Sequence, residues 1–459
     1  MGAIAEKKRV GRDLTEGSII KLLLLFSLPI IATNLIQQLY SMVDLMVVGQ
    51  FVGSVGTVGV ATGGEVSDLM TPVATAFSTA GQIYIAQLAG AKMTEGIKKA
   101  VGTLLTMMLA ISAACIIVTV LLHKTILGLL NCPPEAFNQA AYYMIITTLG
   151  MPFIFGYNAV CGVLRGMGES KRPLIFVCVA AVVNIAADLV LVIVFHMGAV
   201  GTAIATVLSQ AGSFLAAFFY MYKHRDAFDF SLKRSYFKIE KKTALIILKL
   251  GIPQLVRVVF VQFSMLWVKS CVNSYGLVIS ATNSVGDKLQ KFNNAFLNGV
   301  DTASGAMIGQ NLGAKKPERA KKITLNTFGC TLCIATAASC LALLIPEKLF
   351  GFFTTDPQVI AYAADYMSIM IMAFYMAAFT GAFQAMVTGS GFVSLGFFIG
   401  ILDGVVCRIG FSLLFVYVFH MGAYSYWWGT AFSRTLPGLL CLGYFLSGKW
   451  RTRKLLTEG

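Results

Sequence analysis

The sequence predicts an all-α polytopic membrane protein with twelve transmembrane helices in two six-helix lobes. Composition, the number of apolar runs and an internal repeat support this prediction. Of 459 residues, 57% are hydrophobic and only 12% are charged, whereas a soluble chain carries about 25% charged residues. Many apolar stretches exceed about 18 residues, which is long enough to cross a hydrocarbon core. The composition therefore excludes an ordinary soluble domain.

Polar breaks divide the chain into twelve predicted spans. These are residues 19–48, 54–82, 100–122, 138–164, 173–195, 199–222, 244–272, 277–308, 323–345, 360–388, 393–418 and 424–447. We expect cytoplasmic tails at residues 1–18 and 448–459. The N-terminus is polar and basic and is followed by an apolar run too long for a cleavable signal peptide, so none is expected.

The basic residues predict the orientation of the spans. Of the 36 Lys and Arg residues, 28 lie in the two tails and the connections after even-numbered spans or within a few residues of them. The alternate connections hold only Lys124 and Lys348. The positive-inside rule then places both termini in the cytoplasm. This distribution accounts for the net charge of +15 without a nucleic-acid partner, and we expect none.

The two halves of the chain repeat each other at an offset of 223–224 residues. "IAQLAGAK" at 85–92 matches "IGQNLGAK" at 308–315, and "FHMGA" occurs at both 195–199 and 419–423. Because each half has six spans, both halves start on the same side and form parallel repeats. We therefore expect an N-terminal lobe at 19–222, a basic linker at 223–243 and a C-terminal lobe at 244–447. Two such lobes with a cleft between them are typical of an alternating-access transporter.

Polar side chains follow one face of span 1, within about 120° of arc at 100° per residue. They are Asn34, Gln37, Gln38, Ser41 and Asp44. Lipid offers these groups no partners, so the face should point into the protein. One interpretation of the amides is purely structural: they form hydrogen bonds that join neighbouring helices. Asp44 is different, because an acid inside a membrane is by default a functional candidate.

The N-terminal half holds other acids inside the membrane or at its edge. Asn184 and Asp188 in span 5 are four residues apart and share a face, and span 2 carries Glu65 and Asp68. Span 6 carries Thr202, Thr206 and Gln210 on one face. No Lys or Arg is predicted inside these spans. Acids without basic partners bind a cation or take up protons, and either outcome suits coupling to an ion gradient.

The C-terminal half has a mixed polar stripe along span 8. Its members are Asn283, Asp287, Lys291, Asn294, Asn298 and Asp301. Asp287 and Lys291 are four residues apart and can pair locally. Arg257, Lys269, Lys288, Arg408 and Arg434 also lie in or at the ends of spans.

Two interpretations of the C-terminal charges stay open. In the first the charges pair and hold the lobe together, and in the second they form a polar, partly cationic wall of a substrate cavity. For the second case the expected cavity residues are Asn34, Gln37, Ser41, Asp68, Asp287, Lys291, Asn294, Asn298, Asp301 and Arg257.

These motifs resemble the multidrug and toxic compound extrusion (MATE) family. Span 1 matches its "LP…LY…VD…VG" pattern at Leu28, Pro29, Leu39, Tyr40, Val43, Asp44, Val48 and Gly49. "GAK" after each second span and "LRGMGESKRP" at 164–173 are also similar. The resemblance to its DinF-like branch implies a Na⁺ or proton site at Asp44, Asn184, Asp188 and Thr206. The acids that a NorM-like branch carries on spans 7 and 10 are missing around Gln262 and at 383–388.

The resemblance implies a secondary antiporter that exports organic, often cationic or amphipathic compounds in exchange for Na⁺ or H⁺. The alternative within the same superfamily is a flippase for lipid-linked oligosaccharides or polysaccharides. A membrane receptor or scaffold that transports nothing is a third hypothesis. We find no catalytic constellation and no P-loop, so we expect neither an enzyme nor ATP hydrolysis. We expect no cofactor, a drug-like substrate, contact with membrane lipid, a monomer and a plasma-membrane location.

Overall fold

The structure is a computed structural model that describes residues 11–225 and 238–457. The side chains of Leu45, Ser54, Asp68 and Val393 lie outside the described part. Helices account for nearly all secondary structure in the described residues, and these residues form no β-strand. The predicted fold class is therefore confirmed.

The described residues form twelve long helical segments that match the predicted spans. They are α1 (Ile19–Phe51), α2 (Gly53–Gly90), α3 (Thr94–Leu129), α4 (Phe137–Leu149 and Met151–Gly166), α5 (Lys171–Asp188), α6 (Gly198–Lys223), α7 (Lys241–Asn273), α8 (Leu277–Gly313), α9 (Pro317–Leu344), α10 (Ala363–Gly389), α11 (Val393–Ile401 and Arg408–Tyr417) and α12 (Tyr424–Phe432 and Thr435–Ser447). Leu189–Val194 continues α5 as a π-helix, and Leu402–Cys407 is a π-helix within α11. Two short helices, Pro346–Gly351 and Pro357–Ala361, precede α10.

Most of these segments can cross a membrane by their own length and composition. Eight helices in the described part are long and apolar enough, and the two parts of α4, bent by 42°, would make a ninth. Three segments remain. α12 is broken into pieces of 9 and 13 residues, α8 carries the polar stripe, and α2 is rich in Gly, Ser and Thr. Polar and small residues lower the mean hydropathy of α8 and α2, whereas each piece of α12 is shorter than 18 residues.

The backbone repeats as the sequence does. In the "GAK" turn, Lys92 and Lys315 take left-handed φ values of 57° and 56°. In the "FHMGA" turn, His196 and His420 do the same at 52° and 51°. A left-handed residue is a common way to end a helix, because it turns the chain back onto the last carbonyls. The repeated motifs are therefore repeated helix ends.

Contacts divide the chain into two compact units. The first unit joins the described residues before Leu14 to Ala32–Gly251, and the second joins Leu14–Ile31 to the residues from Ile252 onward. The division thus cuts α1 beside Pro29 and α7 beside Pro253. The lobe boundaries that we expect from sequence stay a prediction, and residues 226–237 of the linker lie outside the described part.

Hydrogen bonds fix the chain just before α1 within the second unit. The Leu14 N–H donates to Gln310 Oε1 at 3.2 Å, and Asn311 Nδ2 donates to the Leu14 carbonyl at 3.0 Å. Before α7, within the first unit, the Glu240 N–H donates to Thr103 Oγ1 at 3.3 Å. The first helix of each half therefore starts from an anchored point.

Candidate coupling and substrate sites

A pair of acids lies inside the first unit. Asp44 comes from the C-terminal part of α1, and Asp188 is the last residue of α5 before its π-helix. Their carboxyl groups are within hydrogen-bonding reach of each other. Two carboxyls can hydrogen-bond only when one of them holds a proton, and two charged ones repel unless a cation lies between them. The geometry therefore requires a proton or a cation at this pair.

Three oxygen acceptors of this site are available for a ligand. Asn184 is 2% exposed and Asp188 is 1% exposed. Oδ1 of Asp44, Asn184 and Asp188 is shielded from solvent, and none of the three accepts a hydrogen bond from the described residues. Carboxylate and amide oxygens are ligands for hard cations, and a buried acceptor without a partner is costly. These residues fit either Na⁺ or a proton.

The π-helix after Asp188 was not predicted. Leu189–Val194 reads "LVLVIV", a uniformly aliphatic run that has no signal for a change of helical pitch. π-turns are rare and occur frequently at functional sites. The change of pitch begins directly after the acid.

The fourth residue implied by the resemblance, Thr206, lies on α6 in the same unit. Its hydroxyl donates to the Thr202 carbonyl at 3.0 Å. In the described part of the chain it makes no hydrogen bond to either acid. The side chain of Gln210, one turn further, hydrogen-bonds to Tyr40 on α1. Asn184 and Asp188 therefore lie one turn apart on α5, and Asp188 meets Asp44 of α1. A direct role for Thr206 stays a prediction.

The other candidates in this unit occupy the polar face of α1. Asn34 and Gln37 are half-buried and Ser41 is exposed. The side chain of Asp68 lies outside the described residues. Their assignment to a substrate cavity stays a prediction.

The second unit contains a network of paired charges. Asp403, in the π-helix of α11, accepts a hydrogen bond from Arg408 Nη2 at 3.5 Å and lies 3.9 Å from Arg434 Nε. Asp403 and Arg408 are each 4% exposed. Arg257 on α7 donates to Gln384 Oε1 at 3.3 Å. Sequence reasoning named the arginines but missed Asp403, although an acid five residues before Arg408 in an apolar span was a usable signal.

Asp287 lies beside a small cavity in this unit. The cavity of about 20 Å³ is lined by Met265, Val268, Asn283, Asp287, Tyr366, Met370, Arg408, Trp427 and Thr430. Asn283 Nδ2 donates to Asp287 Oδ2 at 3.2 Å. The charged atoms of Asp287 and Lys291 are not within ion-pair distance in the described chain, so local pairing of these two residues stays a prediction. The Lys291 side chain is exposed.

The remaining candidates on α8 are only partly buried. Asn294 is half-buried and Asn298 is exposed. Asp301 packs against Gly381, where a side chain would collide with its carboxylate. Its Oδ1 has no hydrogen-bond partner among the described residues. The structure thus brings Arg408 and Arg434 together with Asp403, but it does not join the whole stripe into one site.

The fold and these sites define a duplicated, twelve-helix membrane protein with charged groups inside each half. The MatE family matches residues 29–190 and 253–414, one match in each half at an offset of 224 residues. These matches cover more than half of the chain, and the chain belongs to the MATE family of transporters. The prediction from sequence is confirmed.

Relatives that match nearly the whole chain are consistent with this family assignment. The chain is 26% identical over 447 residues to the probable multidrug resistance protein YpnP of Bacillus subtilis, covering 97% of this chain and 99% of that one. It is 23% identical to the probable multidrug resistance protein NorM of Thermotoga maritima, covering 95% and 94%.

Solved structures share the fold. A crystal structure of a MATE protein in complex with MaD3S aligns with a TM-score of 0.91 at 19% identity, covering 97% of this chain and 100% of that one. The outward-facing conformation of a multidrug resistance MATE transporter aligns with the same TM-score at 20% identity, covering 98% and 100%.

Proposed function

We propose that this chain is a secondary multidrug efflux antiporter of the plasma membrane. It exports organic, often cationic or amphipathic compounds by alternating access, in exchange for Na⁺ or H⁺. It uses no cofactor and works as a monomer among membrane lipids. The names of the relatives and the similar solved structure in complex with MaD3S support a small-molecule substrate.

The acid pair carries the proposal for ion coupling. Asp44 and Asp188 meet without a basic side chain within ion-pair distance in the described part of the chain. Their negative charge must therefore be compensated by an exchangeable ion. When the ion is bound the site can stay dry, and when the ion leaves the charged pair demands water or a rearrangement. That difference links ion occupancy to a change of conformation.

One observation favours the alternative, a flippase for an anionic lipid-linked sugar. Arg257, Arg408 and Arg434 lie in the interior of the second unit. Arginine is the side chain best suited to phosphate. However, Asp403 already pairs with two of these arginines, which leaves less of their charge for a substrate. We therefore rank export of small organic compounds first.

Reconstituted protein tests the proposal. Proteoliposomes are loaded with an organic dye, and a Na⁺ gradient and a proton gradient are imposed separately. Dye movement driven by one of the gradients supports the antiporter. Dye that is not moved by either gradient, with translocation of a lipid-linked sugar instead, would favour the flippase.

A further inference from the structure

A crevice of about 530 Å³ opens in the second unit, where the start of α1 meets the start of α9. Its lining residues are Gly17, Ser18, Ile19, Ile20, Glu318, Arg319, Lys322 and Asn326. The charge distribution places this end of both helices at the cytoplasmic face. The crevice is separate from the charges inside the helices.

Arg319 lines the crevice and has two side-chain donors without a partner among the described residues. Its Nε and Nη2 atoms are shielded from solvent and have no hydrogen-bond partner among the described residues. These two nitrogens lie on the same edge of the guanidinium group. Such a fork matches two oxygens of a phosphate or carboxylate. The buried donors therefore call for an anion.

The nearby acids already form ion pairs with other basic side chains. Glu318 pairs with Arg451 at 3.1 Å, and Glu16 pairs with Lys316 at 3.7 Å. Within the part of the chain that the structure describes, no carboxylate lies within ion-pair distance of Arg319 or Lys322. Two cations thus line the crevice, and the one carboxylate among its lining residues, Glu318, pairs with Arg451 rather than with either of them.

The corresponding residues in the other half of the chain have a different charged environment. At the offset of 223 residues, Lys322 corresponds to Lys99, which forms an ion pair with Glu240 at 3.1 Å. Arg319 corresponds to Gly96, where a Cβ would come within 2.7 Å of Leu88 Cδ2. The first unit supplies its own carboxylate to the lysine. The second unit adds an arginine instead and leaves the lysine without that carboxylate.

An apolar track leads away from the crevice along α1. Ile20, Leu24 and Leu28 are 52%, 43% and 56% exposed. Their spacing of four residues places them on one face of the helix. A charged crevice that continues into an exposed apolar face matches a molecule with an anionic head and a hydrocarbon tail.

We propose that this crevice binds the phosphate of an anionic phospholipid from the cytoplasmic leaflet. Arg319 donates hydrogen bonds to two phosphate oxygens, and Lys322 adds a second positive charge. The acyl chains lie along the exposed apolar face of α1. Bound lipid would then join the start of α1 to α9 within the second unit.

The test measures lipid binding by the purified full chain in detergent. Phosphatidylglycerol, phosphatidylcholine and inorganic phosphate are titrated separately, and retained lipid is followed by native mass spectrometry alongside the thermal midpoint. Phosphatidylglycerol should bind and raise the midpoint, and phosphatidylcholine should not. Arg319→Gln and Lys322→Gln should each weaken phosphatidylglycerol binding about fivefold, since a cation near an anionic membrane surface contributes about 1 kcal/mol.

Lys321→Gln is the matched control, because it removes the same charge from a neighbouring residue that does not line the crevice. It should bind lipid as the wild type does. Equal losses in Lys321→Gln and Arg319→Gln would overturn the proposal, since they would indicate attraction by overall charge. Equal stabilisation by inorganic phosphate alone would overturn a lipid as the source of the anion. If Arg319→Gln fails to fold, the loss of phosphatidylglycerol binding in Lys322→Gln still tests the proposal.

Discussion

The two units handle buried charge in opposite ways. The first holds two acids whose carboxyls meet, with no basic side chain within ion-pair distance in the described chain. The second pairs Asp403 with both Arg408 and Arg434. The two halves of the chain repeat one sequence, and their helix ends still match. The repeat thus preserves the helices while the interior charges differ.

Under the proposed function, the difference separates a site that takes an exchangeable ion from one whose acid is paired within the chain. An acid pair without a basic partner is neutralised by a bound proton or cation. In the second unit the acid is balanced by arginine, although burial of such a network is costly and its partners depend on each other. We therefore expect variants in the first unit to affect transport, and variants in the second to affect stability first.

The largest expected effect comes from the acid pair. Asp44→Asn and Asp188→Asn each remove the charge that an exchangeable ion must balance. Gradient-driven dye transport in proteoliposomes should fall to the level of protein-free vesicles, while the protein still inserts and purifies. Glu135→Gln is the matched control, because Glu135 is an exposed acid of the same unit outside the predicted spans. Wild-type transport in both asparagine variants would contradict the coupling role.

Breaking the network should unfold the protein more readily. Asp403→Asn leaves the buried Arg408 without its charged partner, and removing one member of a buried ion pair costs about 3–5 kcal/mol. The thermal midpoint in detergent should fall accordingly. The double variant Asp403→Leu with Arg408→Met removes both charges and should recover much of the loss. Equal midpoints for the single and double variants would show that the pair is not what stabilises this unit.

The fold was largely predictable from sequence because lipid imposes simple rules. Apolar length predicts the spans, and the matching motifs predict the repeat. Asp44, Asn184 and Asp188 were also found, since an acid in an apolar helix is conspicuous. Each half could be recognised without knowing how its helices pack.

Packing details were not predictable for a physical reason. An aliphatic run such as Leu189–Val194 gives the same hydropathy whether its turns are α or π. The division of α1 between two units beside Pro29 depends on contacts far along the chain. The partners of Asp403 depend on which helices meet. Periodicity reports which face is polar, but it does not report what lies opposite that face.

A tight helix approach supports the network of the second unit. Gly404 follows Asp403, and a Cβ there would come within 2.7 Å of the Phe260 carbonyl carbon and 2.8 Å of the Val261 nitrogen on α7. Backbone atoms cannot move aside as a flexible side chain can. Gly404→Ala should therefore cost about 1–3 kcal/mol through overpacking.

The same substitution at Gly410 is the control for this prediction. A Cβ there meets no atom within 4 Å, and Gly410 lies in the next part of α11. Gly410→Ala should leave the thermal midpoint unchanged or raise it slightly, because Ala favours a helix more than Gly does. A similar loss in both variants would show that the close approach to α7 is not the cause.

The smallest expected effect concerns Glu240, which gives the first unit a carboxylate beside Lys99. A hydrogen bond from Thr243 and the ion pair with Lys99 lower the pKa of Glu240 below its ordinary value of 4.5. Because the folded-state pKa is lowered, the stabilisation is fully present above 4.5 and is lost as pH falls through the lowered value.

Glu240→Gln should therefore lower the thermal midpoint slightly at pH 7, by no more than about 1 kcal/mol for such an exposed pair. The difference from wild type should shrink as pH falls below the ordinary range of a carboxyl group. Glu95→Gln is the control, because Glu95 pairs with Lys98 on the same helix at 2.8 Å and is largely exposed. If Glu240→Gln differs from wild type by the same amount at every pH, the charge on Glu240 is not what anchors the start of α7. The contrast with the crevice beside Lys322 would then lose its basis.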